Sequence, residues 1–96
     1  MMKTNVLPKM PMLKKTAQKL EEFLLFNGIH IEIREVNIQC PSTEYAFEFM
    51  DNHSLKDIRT IRKSIIIALN PPIKKIRICS TKKGLSAIYI PNPLIN

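Results

Sequence analysis

IHIEIREVNIQCPSTEYAFEFM, Ile29 to Met50, is the stretch on which the fold turns. Ile29, Ile31 and Ile33 alternate with polar residues, the period of a strand with one buried face. Val36 and Ile38 have the opposite parity, so an uninterrupted strand would turn both outward. A bulge near Arg34–Glu35 adds one residue to the run and returns them to the core side. Cys40-Pro41-Ser42-Thr43 reads as a turn, and Glu44–Met50 (EYAFEFM) alternates again with Tyr45, Phe47 and Phe49 on one side. The two runs predict an antiparallel hairpin, with Glu32, Glu35, Glu44 and Glu48 pointing outward.

On the N-terminal side, Leu13, Ala17, Leu20 and Leu24 follow helical spacing with Phe23 beside them. Asn27-Gly28 supplies the left-handed residue that ends such a helix. Residues 1–12 carry no periodicity and read as a flexible leader. Glu21-Glu22 falls on the helix face expected to meet water.

On the C-terminal side, Asp51-Asn52-His53 breaks the strand and Ser54-Leu55-Lys56-Asp57 has the pattern of a capping box. Ile58, Ile61, Ile65 and Leu69 form one stripe, which Asn70-Pro71-Pro72 ends. Ile73–Cys79 and Leu85–Ile90 are two more strands, joined through a turn in which Gly84 suits a positive φ. The expectation is one α+β domain over residues 13–92, with two helices packed on a small, mainly antiparallel sheet in the order α-β-β-α-β-β. Residues 93–96 begin a linker or tail.

A chain of 96 residues supports one modest core and leaves little room for an enclosed active site. No apolar run reaches the roughly 20 residues that span a bilayer, and the first residues lack the centre of a secretory signal. A cytoplasmic location and no membrane contact are expected. Cys40 and Cys79 are too few for a disulfide scaffold, although their pairing stays open.

The chain has only two glycines, Gly28 and Gly84, and no phosphate-cradling GxxxxGK[ST] loop. His30, Cys40, His53 and Cys79 stand singly, without the short spacings of a structural zinc site. The acidic residues show no paired arrangement suited to acid–base chemistry. No enzyme, cofactor or metal is expected.

The basic residues carry the positive reading. Fifteen Lys and Arg against eight Asp and Glu give a formal charge of +7. Nine of those fifteen (Lys56, Arg59, Arg62, Lys63, Lys74, Lys75, Arg77, Lys82 and Lys83) fall in one stretch, opposed there only by Asp57. Lys56, Arg59 and Lys63 have helical spacing roughly opposite the isoleucine stripe. A field of that sign can meet phosphates without reading base sequence, though a solvated helix face accounts for the same residues. The Tyr45, Phe47, Phe49 row imitates a base-stacking platform but fits a core face better.

Several of these segments recur together elsewhere. "FLLFNGI" at Phe23–Ile29, "DIRTIRKSIIIAL" at Asp57–Leu69, "IRI" at Ile76–Ile78 and "KKGLSAIYIPN" at Lys82–Asn92 resemble, in order and spacing, the small domain that precedes the ATPase core in the FtsK/SpoIIIE family of DNA translocases. The usual Pro-Gly-Lys turn is Lys82-Lys83-Gly84 here, Ala87 replaces a customary Gly, and the connection at Asp51–Ser54 is shortened. The resemblance implies a non-catalytic accessory domain of an ATP-driven pump that threads double-stranded DNA. It also implies self-association, or contact with a motor domain, in a hexameric ring. Pro91-Asn92-Pro93 would then be a domain boundary, in a fragment or in a relative without a motor.

Two other readings belong to different classes. One is a stand-alone protein-interaction module, an adaptor or inhibitor docking through an apolar edge at Leu85–Ile90. The other is a small RNA-binding domain, for which neither a GXXG loop nor an aromatic RNP pattern is present.

Overall fold

In the computed structural model, which describes residues 10–39, 42–69 and 75–91, the bulge forms where the parity change requires it. Strand β1 (Ile31–Ile38) pairs antiparallel with β2 (Ser42–Phe49), and the register shifts between Ile33 and Glu35. Ile33 sits opposite Phe47, whereas Val36 sits opposite Tyr45 and Ile38 opposite Thr43. Ile31, Ile33, Val36 and Ile38 thereby share one face of the sheet. Val36 packs against the core, but Ile38, at the strand end, remains largely exposed.

Helix α1 (Met10–Phe26) precedes this hairpin and begins earlier than the apolar spacing predicts. Its first turn contains Pro11, a position where a missing N–H costs nothing. Its end is a Schellman motif: the Ile29 N–H donates to the Leu24 carbonyl at 2.8 Å and the Gly28 N–H to the Leu25 carbonyl at 2.9 Å. Gly28 holds φ 84°, and the flanking Leu24 and Ile29 are both buried, as that motif's apolar contact requires.

The predicted second helix is two. Helix α2 (Leu55–Thr60) ends at Ile61, whose φ −108° and ψ 23° leave the helical region, and α3 (Arg62–Leu69) follows. The order is therefore α-β-β-α-α-β-β, with three helices rather than two. Thr60 contributes to the break, since its Oγ1 donates back to the Lys56 carbonyl at 3.0 Å, a bond that bends helices. Two β-branched residues in succession, Thr60 and Ile61, further lower the local helix preference. At the start of α2, the Asp57 carboxylate accepts from the Ser54 N–H at 2.9 Å, the reciprocal half of the expected capping box.

Strands β3 (Arg77–Ser80) and β4 (Ser86–Pro91) complete a four-stranded, wholly antiparallel sheet in the order β1-β2-β4-β3. The connection through α2 and α3 carries the chain past β2, and β4 returns between β2 and β3. Leu85–Ile90 is thus no edge, and the docking role expected of it fails: β4 spends its backbone on two neighbours. Gly84, at φ 87°, closes the β3–β4 turn as the sequence predicts.

The helices cover one face of the sheet. Leu20, Leu24, Ile58, Ile65 and Leu69 meet Ile31, Tyr45, Phe47, Ile78, Ile88 and Ile90 in a single core. Ile61 joins it only at the margin. Tyr45 and Phe47 are buried there and Phe49 packs beside them, its ring edge-on to Phe47 at 5.3 Å. These aromatics are core, and no stacking platform faces solvent from this row. None of the described helices is long and apolar enough to cross a membrane.

Candidate nucleic-acid interface

The cationic candidates divide between the two sides of the sheet. Lys56 and Arg59 lie on α2, Arg62 and Lys63 on α3, all exposed on the helix layer. The break at Ile61 falls between Arg59 and Lys63, so the straight i, i+7 row expected of one helix is bent. Lys75 precedes β3 and is exposed. Arg77 lies on the opposite, uncovered face, in register with Tyr89, while Lys82 and Lys83 occupy the β3–β4 turn. Lys74 and Cys40 lie outside the described residues.

Strand β3 is where the two groups come closest. It is an edge strand, packed by α2 from one side. Arg59, though exposed, reaches back to the sheet: its Nη2 donates to the Ile78 carbonyl of β3 at 3.0 Å. That bond occupies an edge acceptor and holds the guanidinium beside the strand. Lys56, Arg62, Lys63, Lys75 and Lys82 have no carboxylate partner within salt-bridge distance among the described residues.

The uncovered face carries a side-chain network that crosses all four strands. Asn37 of β1, Glu44 of β2, Tyr89 of β4 and Arg77 of β3 stand in one cross-strand row. Asn37 Nδ2 donates to Glu44 Oε1 at 2.8 Å and to Glu35 Oε1 at 3.2 Å. The Tyr89 hydroxyl donates to the other Glu44 oxygen at 2.5 Å. The Arg77 guanidinium lies over the Tyr89 ring, 4.8 Å from its centre. The hydrogen bond to Glu44, reinforced by desolvation, pushes the Tyr89 phenol up to about 12. Glu35 closes the network by receiving Lys83 Nζ at 3.2 Å. A groove of about 380 Å³ lies between this network and the β3–β4 turn.

Around the network, charge is sorted by hairpin. The outward side of β1 and β2 holds Glu32, Glu35, Glu44 and Glu48, and Arg34 bridges two of them at 3.0 Å to Glu32 and 2.6 Å to Glu48. From Arg77 to Pro91 there is no acidic residue. The expected outward placement of these four glutamates holds; Glu21, expected to face water, does something else. Its Oε2 accepts the N–H of Ile33 on the other edge strand, β1, at 2.8 Å. Neither edge contact was legible from spacing, because each depends on which strand the fold leaves at an edge.

At the β2–α2 junction, Asp51 accepts from the His30 N–H at 2.7 Å and the His53 N–H at 3.1 Å, with His53 Nδ1 at 3.0 Å. Those backbone donors, His30 first, hold its carboxyl down at about 2. The described residues contain no group of three or more His, Cys, Asp or Glu placed to hold a metal, and Cys79 is a free, half-buried thiol. No protein-family model matches the chain, and no curated protein matches it.

Proposed function

We propose that this domain is a non-catalytic module that contacts the phosphate backbone of double-stranded DNA without reading its sequence. The carrying observation is the sorting of charge. Nine of fifteen basic residues and one of eight acidic ones lie between Lys56 and Lys83; the described ones stand on two helices, just before and on one edge strand, and in one turn. Those described are exposed, and five of them lack a carboxylate partner among the described residues. Lys56, Arg62, Lys63 and Lys75 provide the contact surface, and Arg59 anchors it to β3. The FtsK/SpoIIIE-like order of segments supplies a setting, an accessory domain beside a DNA-translocating motor in a ring. Fluorescence anisotropy with a labelled duplex tests the proposal. Binding should weaken steeply with salt, by a slope near −0.9 for each phosphate contact; absence of binding at low salt rejects it.

A protein-interaction module is the second reading, favoured by a different observation. Phe26 is 86% exposed and Ile67 77%, with Leu25 also well exposed, on two helices that pack together. Such side chains gain by docking on an apolar partner surface. Light scattering and a pull-down with a translocase motor domain separate the readings: partner binding that survives high salt, without DNA binding, selects this one.

A further inference from the structure

The open-face network contains a carboxylate where a phosphate would be expected. Lys83 is one of the cations that the charge sorting offers to a nucleic-acid backbone, yet its ammonium is 3.2 Å from Glu35 Oε2 and 3.5 Å from Oε1. The pair spans 48 residues, joining the β3–β4 turn to the strand at the far edge of the sheet. Its two ends differ in freedom. The Lys83 side chain is 70% exposed and Glu35 half as much, while Asn37 Nδ2 holds Glu35 Oε1 from the other side. The carboxylate is therefore positioned by the sheet, and the lysine is the more exposed member.

Beneath this pair lies the groove, lined by Ser80, Thr81, Lys82 and Tyr89 together with the pair itself. The turn backbone is rigidly tied. The Thr81 hydroxyl accepts from the Lys83 and Leu85 N–H groups at 3.2 and 3.1 Å, and the Gly84 N–H reaches the Thr81 carbonyl at 3.2 Å. Releasing Lys83 thus needs only a side-chain rotation, with no refolding of the turn. Lys82, adjacent and unpaired among the described residues, stays available throughout.

We propose that Glu35 is an internal competitor of the nucleic-acid backbone: it occupies Lys83 in the free domain and yields it to a phosphate when nucleic acid binds. The inference rests on the backbone-binding reading above and adds a specific device to it. An exposed ion pair is weak and salt-screened, so a phosphate can displace the carboxylate, but contact through Lys83 must first break it. Glu35 thereby tunes affinity downward and makes contact at the turn conditional on contact elsewhere.

The test is anisotropy of the full chain with a labelled duplex across a salt series, using wild type, Glu35→Gln, Lys83→Gln and the double variant. Glu35→Gln should tighten binding about two- to five-fold at low salt, the range an exposed pair's strength allows. On the Lys83→Gln background the same change should have no effect. A gain that persists without Lys83 is long-range charge alone and overturns the competitor role. An unchanged affinity in Glu35→Gln, with wild type still binding duplex, overturns it while leaving the proposed function standing. Wild type that fails to bind at any salt removes both.

Discussion

The two hairpins of this domain share a plan and differ in what they offer to a charged partner. Each follows a helix, pairs antiparallel and ends the sheet with one of its strands. The β1–β2 hairpin has two eight-residue strands, a bulge and four outward glutamates; β3–β4 has strands of four and six residues and outward cations. Even their edges are closed by opposite chemistry. A carboxylate from α1 takes an N–H of β1, and a guanidinium from α2 takes a carbonyl of β3. Exposed strand edges invite pairing with other chains, and each of these is blunted by a charged side chain. The difference teaches that the sign of the outward charge, rather than an open strand edge, distinguishes the surfaces of the two halves.

The comparison breaks at its root if the halves do not share one core. Phe47 of the first hairpin and Ile88 of the second are both buried in the same cluster. Phe47→Ala should cost about 3–5 kcal/mol and Ile88→Ala about 2–5 kcal/mol, from lost burial plus the cavity left behind. Against a total of roughly 5–15 kcal/mol for a domain, either change threatens folding at ordinary temperature. Urea denaturation followed by circular dichroism should give one transition in both variants. Two resolved transitions would mean that the hairpins unfold separately.

A sharper version compares the edges. Arg59→Met removes the donor to Ile78 and Glu21→Ala the acceptor for Ile33, each costing about 1–2 kcal/mol because a backbone group loses its charged partner. Their consequences for DNA should diverge. Arg59→Met should also weaken duplex binding, whereas Glu21→Ala should not, and light scattering should show added association where an edge is opened. Smaller still is the effect of single surface charges. Lys63→Gln should reduce the salt slope of duplex binding by about 0.9, one phosphate contact, while Glu48→Gln on the acidic hairpin should leave it unchanged. Equal responses would mean that the sorting of charge has no bearing on binding.

Much of the first hairpin was readable because alternation encodes it directly. The parity change between Ile33 and Val36 required a bulge, and Asn27-Gly28 required a left-handed residue. The helix break was hidden because the stripe Ile58, Ile61, Ile65, Leu69 continues through it. One residue leaving the helical region does not disturb apolar spacing, and only Thr60-Ile61 hinted at it. Strand order was harder, because pairing between β2 and β4 is a long-range choice that local pattern does not express. In hindsight Leu85–Ile90 carries the mark of an internal strand, since Ala87 and Ile88 face opposite sides and both are fully buried. The open-face network follows from that order. Tyr89 meets Glu44 only because β4 lies beside β2, so no reading of spacing could have joined them.

The finest difference between the hairpins is carried by that contact, where an anion of one half and a cation of the other act on the same phenol. Glu44 stabilises the protonated Tyr89 and Arg77 favours its ionised form; the carboxylate prevails, since the phenol stands at about 12. A folded-state value above the ordinary one near 10 means that the contribution is complete below about pH 10 and disappears as pH rises through 12. The chain's other phenol, Tyr45, is also held up, first by burial. Absorbance at 295 nm should therefore show neither tyrosine ionising at its ordinary pH in the native protein. Glu44→Gln should bring one of the two back toward 10, whereas Arg77→Met should delay the same phenol further. If Glu44→Gln left both titrations late, burial alone would hold Tyr89, and the network would not couple the acidic hairpin to the basic one.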